Sequence, residues 1–254
     1  MTKRKRLLVV AAILFIAFES VMFYLIHIVD AEPGNYYRYL CIIAAAIFSW
    51  ITLFVQLVTA RVAGDRASKL IFNISDGNLI RIAMLFTLVA DYYMVALDEA
   101  DNYTGVKVFL GTQLFILLHI LANDHSKKGR KVNLISRIFL VGGVIAIAYA
   151  ILGDQLDSMA IIAVIYYANL CANAIFAHRI GRGGIVLTVG LILFALCDIN
   201  VGLTALNEVY EGGFREGSLL YNLMNSDLDF IWVFYIPSQT LIPLSLLLFD
   251  KKKK

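Results

Sequence analysis

Apolar runs of about 20 residues follow one another along this chain, separated by short clusters of charged and turn-forming residues. A run of that length, wound as a helix at about 1.5 Å per residue, crosses the roughly 30 Å hydrocarbon core of a bilayer. Eight can be read, at about 7–29, 38–60, 79–97, 105–123, 134–152, 158–178, 185–206 and 229–249. The pattern predicts an all-α, polytopic membrane protein with eight transmembrane helices, forming one integral membrane domain over residues 1–254.

Composition agrees: 60% of the residues are hydrophobic and 16% charged, where a soluble domain carries about 25% charged residues. Charge placement adds an orientation. With Lys3, Arg4, Lys5 and Arg6 inside, 19 of the 22 Lys and Arg fall in the N-terminus, 61–81, 124–137, 179–184 and the Lys251–Lys254 tail. Only Arg38, Lys107 and Arg215 fall outside, where the acidic turns DEADN (98–102) and GDQLDS (153–158) also lie. This is the positive-inside distribution, and it predicts a multi-pass protein of the plasma membrane with both termini cytoplasmic. The net charge of +3 belongs to the inner face, where anionic lipid accounts for it.

The first run, KRKRLLVVAAILFIAF, has the basic start of a signal peptide, but it is too long and Glu19 interrupts it, so a membrane span is expected. Cys41, Cys171 and Cys197 all lie inside spans, without metal-ligand spacing or a disulfide partner. No metal, cofactor, soluble domain or nucleic-acid partner is expected; the oligomeric state is open. The longest outer loop, 207–228, is placed to fold over the mouth of a site.

Two residues stand out against this apolar background: Asp91 in MLFTLVADYYMVAL and Asp198 in GLILFALCDINVGL. A carboxylate at the centre of a span costs about 2.5–3.5 kcal/mol even on lenient insertion scales, and such residues mark functional sites. Hydrocarbon-like surroundings favour the neutral, protonated form of a carboxyl group, which can then act as a general acid. Both aspartates lie some 12–14 residues above the inner end of spans that run the same way, which puts them roughly 20 Å up, at one depth. Spans three and seven are four apart, so a parallel repeat of spans one to four and five to eight would relate them; LFTLVAD against LFALCD is the trace of it.

Other polar groups reach comparable levels. Glu19, Gln56 and His119 lie within spans one, two and four, and span six carries Tyr166, Asn169 and Asn173 on one helical face. Span eight carries Tyr235, Ser238 and Gln239, while Asn200 points to a different side of span seven from Asp198. Gln56 and Asn173 suit interhelical hydrogen bonds, and Tyr36, Tyr37, Tyr92 and Tyr93 suit the interfacial aromatic belt. Since lipid does not accommodate this inventory, the polar faces are expected to converge on an interior cavity. Mid-membrane carboxylates serve proton-coupled carriers equally well, so a secondary transporter is the alternative to an enzyme. No span has the central lysine that a retinal Schiff base requires.

At these residues the chain resembles the YhhN-like lysoplasmalogenase family of small eight-span membrane proteins. The resemblance runs through LFTLVADYYMV with Asp91, VFLGTQLFILLHI with His119, GLILFALCDINVGL with Asp198 and YIPSQTLI with Tyr235 and Gln239, and covers roughly 40–249. Ala90 and Cys197 stand before the two aspartates where the family has glycine and serine. The resemblance implies hydrolysis of the vinyl ether of a lysoplasmalogen, giving a fatty aldehyde and a glycerophospho-ethanolamine or -choline, with the lysophospholipid entering from the bilayer. On that chemistry Asp91 and Asp198 are expected to share the acid and base roles, His119, Tyr235 and Gln239 to orient substrate or water, and Asn169, Asn200 and Glu19 are further candidates for such positioning.

Overall fold

A computed structural model describes residues 3–29, 34–62, 77–97, 99–153, 156–209, 214–224, 226 and 228–249. These form α1 (Lys3–His27), α2 (Gly34–Val62), α3 (Asn78–Asp91), α4 (Asn102–Asn123), α5 (Lys127–Leu152), α6 (Ser158–Ala177), α7 (Arg182–Val209), the short α8 (Leu219–Met224) and α9 (Phe230–Leu244). Eight of these segments are long and apolar enough to cross a membrane. Of the basic residues used to orient the chain, Arg66, Lys69 and Lys251–Lys254 lie outside the described residues, as do positions 210–213 of the 207–228 loop.

Seven of the eight spans start and stop within a few residues of their hydropathy boundaries. The fifth differs, since α5 begins at Lys127 rather than near 134. Its first turn is polar and invisible to hydropathy, but it is helical because the Ser126 side chain accepts from the Gly129 amide and caps it. Asp101 and Asp157 cap α4 and α6 in the same way, accepting from the amides of Thr104 and Ala160.

Six helices close into a ring in the order α2, α3, α4, α6, α7 and α9, with α9 returning onto α2. α1 lies outside against α2 and α9, and α5 lies outside against α6. Each half of the chain therefore contributes one outer helix followed by three ring helices. The most extensive contacts are α3 with α4 and α7 with α9, equivalent pairs in the two halves. The order of helices around the ring is thus the same in the two halves, and Asp91 on α3 and Asp198 on α7 each lie on the second ring helix of their half.

Apolar lipid provides little drive for helix association, so close packing of small residues has to supply it. Gly105 does this where α4 meets α3: a Cβ there would lie 2.8 Å from Met94 Sδ and 3.2 Å from the Ala90 carbonyl oxygen. α5 shows the opposite face of the same physics. Its Ile138 and Phe139 are 73% and 76% exposed, a surface suited to lipid and unsuited to water.

At the end where α4, α5 and α6 meet, Arg179 Nε donates to Asp124 Oδ2 at 2.9 Å, and the Ser126 amide donates to Oδ1 at 2.9 Å. Burial acts to raise the Asp124 pKa, but these hydrogen bonds and the charges of Arg179 and Arg130 outweigh it and hold the carboxyl below its ordinary range. The stabilisation is present at neutral pH and is lost as the pH falls through the depressed pKa. Asp124→Asn is expected to remove that component of the acid transition; thermal unfolding followed from pH 7 to pH 3 would show a flatter decline than in the parent protein.

Candidate active site

Asp91 closes α3, and at that point the helix changes form. Tyr92–Ala96 make a π turn, with the Leu97 amide donating to the Tyr92 carbonyl at 3.1 Å. Such turns admit an extra residue and re-aim the side chains around them, and they are frequent at functional sites. Asp91 is only 3% exposed. The Tyr235 hydroxyl, from α9, donates to Asp91 Oδ2 at 2.5 Å. Tyr39, from α2, braces the same stretch by donating to the Leu88 carbonyl at 3.3 Å.

Asp198 has a parallel arrangement. It projects from the middle of α7, and the Tyr166 hydroxyl, from α6, donates to its Oδ2 at 2.7 Å. Among the described residues no hydrogen bond reaches Oδ1 of either carboxyl. The Phe194 ring, one helical turn from Asp198, stands between the pairs, with centroids 5.3 Å from Tyr235, 6.4 Å from Tyr166 and 5.6 Å from Phe109. Phe194 thus contacts the tyrosine of each pair. The result is two Asp–Tyr pairs across an aromatic wall, each leaving one carboxyl oxygen for chemistry.

Gln239 lies one turn along α9 from Tyr235, is fully enclosed, and has a buried Oε1 without a hydrogen bond among the described residues. The other candidates are not gathered here. His119 stands ten residues along α4 from Phe109, which is about 15 Å; it packs on Phe249 at 4.7 Å and lies 3.3 Å from the Asn123 amide. Asn200 turns onto its own helix and donates to the Leu196 carbonyl at 2.7 Å. Asn169 is committed to Ile165 and Arg137. Glu19 is buried between α1 and α2 facing the Cys41 thiol, with no nitrogen or oxygen donor among the described residues. The expected convergence on one cavity is corrected accordingly: the polar groups divide among separate centres, because a helix i, i+3, i+7 face is wide enough to serve two neighbours.

One of those centres forms at the start of span five, where the span overlaps the charged segment 124–137. Arg137 is buried, and its guanidinium donates to Asn133 Oδ1 at 2.9 Å, Asn169 Oδ1 at 3.0 Å and Asn173 Oδ1 at 2.6 Å. Asn173 in turn donates to Gln113 Oε1 at 2.9 Å. Arg81 is likewise buried and donates to the Ser49 carbonyl, Asn78 Oδ1 and Thr52 Oγ1 at 2.9, 2.7 and 2.9 Å. Charge counting assigned both to inner segments. Their helical spacing from Asn133 and Asn78, at i+4 and i+3, is the signal that could have placed them inside.

The family model of the YhhN family matches residues 73–246, which is α3 to α9. The chain belongs to the YhhN family. No curated protein and no protein of solved structure matches it. YhhN is the lysoplasmalogenase family, and membership carries an association with hydrolase activity and an apolar, helical membrane protein. The YhhN match holds both Asp–Tyr pairs, Gln239 and Arg137, and it begins later than the residue 40 or so expected from the motifs. α1 and α2, and with them Glu19, Arg38 and Tyr39, lie outside the YhhN match.

Proposed function

We propose that this protein hydrolyses the vinyl ether of a lysoplasmalogen, using Asp91 and Asp198 as an acid–base pair. The observation that carries the reading is the pairing itself: two carboxyl groups on equivalent helices, each fixed by a tyrosine through Oδ2 and each left with Oδ1. An enol ether resists nucleophiles and base, but protonation of its β-carbon gives an oxocarbenium ion. The protonated carboxyl of the pair delivers that proton. The ionised carboxyl stabilises the cation and accepts a proton as water adds to the α-carbon, forming a hemiacetal. The hemiacetal collapses with cleavage of the carbon–oxygen bond, releasing fatty aldehyde and the glycerophospho-alkanolamine. One water is consumed and the proton count of the pair is restored. Glycoside hydrolysis uses two carboxyl groups around a similar cation.

The aromatic wall of Phe109, Phe194 and Trp232 excludes bulk water from the cation, and Gln239 is positioned to hold the attacking water. In this reading the basic helix ends face the cytoplasm of a plasma-membrane protein, the chain is one membrane domain, and the pairs open toward the outer leaflet.

The test is aldehyde release from 1-alkenyl-lysophosphoethanolamine by purified protein. Release establishes the reaction. Absence of release together with uptake of substrate into proteoliposomes replaces it with the carrier reading. Tyr235→Phe and Tyr166→Phe retain the aromatic packing and delete one hydrogen bond to a carboxyl. Each is expected to lower kcat by about tenfold with a small change in KM, the size of a single hydrogen bond to a charged group.

A further inference from the structure

The end of the ring that holds Asp91 and Tyr235 carries a second polar cluster, built from α1, α2 and α9. Arg38 Nη2 donates to Asp229 Oδ2 at 2.7 Å, and Nη1 donates to Asn35 Oδ1 at 3.2 Å. The guanidinium carbon sits 5.2 Å from the centre of the Trp232 ring. His27, at the end of α1, packs at a tilt against Phe23, ring centres 4.4 Å apart, near Arg38, Asp229 and the Trp232 backbone. Asp229 occupies the N-cap position of α9 without capping it, its carboxylate being directed to Arg38 instead.

Two features separate this cluster from an ordinary ion pair holding helix ends together. Arg38 Nε and His27 Nε2 are both buried and have no hydrogen bond among the described residues. Buried donors without acceptors are costly, so each favours an incoming acceptor. The ion pair itself is open to its surroundings, with Arg38 and Asp229 side chains 26% and 35% exposed. An anion can therefore reach the exposed edge of the Arg38 guanidinium while a cation reaches the free side of the Asp229 carboxylate.

The geometry points to a receptor for a zwitterionic phospho-alkanolamine headgroup, with the phosphate at Arg38 and His27 and the ammonium at Asp229 and Trp232. This rests on reading Asp91 and Asp198 as the cleaving pair, and it fits that pair in length. Trp232 packs on Tyr235 at 5.3 Å, and Tyr235 holds Asp91. From Asp229 to Tyr235 is six residues of helix, about 9 Å. From the ammonium nitrogen of an ethanolamine lysoplasmalogen to the β-carbon of its vinyl ether is eleven bonds, roughly 13 Å when extended, so the lipid has the reach to span this distance. A headgroup at the cluster therefore delivers the enol ether to the carboxyls. Arg38 and His27 lie outside the stretch matched by the family model, so the assignment comes from the packing of α1 and α2 onto α9.

Binding tests this independently of turnover when saturated 1-O-alkyl ethers, which lack the enol, are used. In nanodiscs, the parent protein is expected to bind 1-O-alkyl-lysophosphoethanolamine about tenfold or more tighter than 1-O-alkylglycerol, which has no headgroup. Arg38→Gln should collapse that preference, with Arg38→Lys intermediate. Asp229→Asn should keep the preference for phosphate and lose the preference for the ethanolamine lipid over 1-O-alkyl-lysophosphatidic acid. Thermal unfolding of each variant confirms that it is folded. Equal affinity of the parent protein for the two alkyl lipids overturns the assignment, and so does proportional weakening of both lipids in Arg38→Gln. Aldehyde release from the alkenyl lipid by the parent protein judges the cleavage reaction separately, so failure of one reading is distinguishable from failure of the other.

Discussion

Replacing either Asp91 or Asp198 by asparagine is expected to lower aldehyde release by about a thousandfold, within the range assigned to a general acid or base. Asparagine has the size of aspartate and can still accept the hydrogen bond that Tyr235 or Tyr166 donates to Oδ2, so the packing of α3 on α9 and of α6 on α7 is retained. What it cannot do is give a proton to carbon or take one from water. If the two groups act as a unit, as proposed, the double variant is expected to be no worse than the poorer single variant by more than a few-fold. Steady-state rates on the alkenyl lipid, with unfolding temperatures measured alongside, check this. Either single variant with more than a tenth of parental activity refutes the paired role.

The second large effect falls on stability rather than chemistry. Arg137→Leu is expected to destabilise the protein by about 3 kcal/mol, lowering its unfolding temperature in detergent by on the order of 10 °C. The guanidinium ties α5 to α6 through Asn169 and Asn173, and Asn173 carries the network on to Gln113 in α4. Leucine fills the space but leaves the three asparagine oxygens without their donor in an interior that offers no replacement. Since α5 packs chiefly on α6 and otherwise faces lipid, this network is its main polar attachment to the ring. Arg137→Lys keeps the charge but loses the planar fork, and should recover less than half of the loss. An unfolding temperature within 2 °C of the parent in Arg137→Leu contradicts the role.

Much of the architecture is legible along the chain because bilayer thickness imposes it. A span must be about 20 apolar residues, so eight runs give eight crossings without knowledge of any contact. Asp91 and Asp198 were legible for the same reason: an expensive residue stands out against an apolar run. Arg137 and Arg81 were not, because each sits at the edge of a run, where length and hydropathy cannot distinguish a loop cation from a buried one. Tyr166 was visible only as one member of a polar face, with nothing to say that it would part from Asn169 and Asn173. The π turn after Asp91 had no local mark, since Tyr92–Ala96 contains neither glycine nor proline.

Thus the number of spans, their lengths, the basic ends and the two costly carboxyls follow from the sequence alone, all being properties of single segments against a bilayer. Which tyrosine fixes which carboxyl was decided only by tertiary structure, and so was the separation of His119, Asn169, Asn200 and Glu19 from the pairs. Those outcomes depend on the order of helices around the ring and on the rotation of each about its axis. Helix rotation is set by close packing such as Gly105 against Met94 and Ala90, and no hydropathy pattern specifies it.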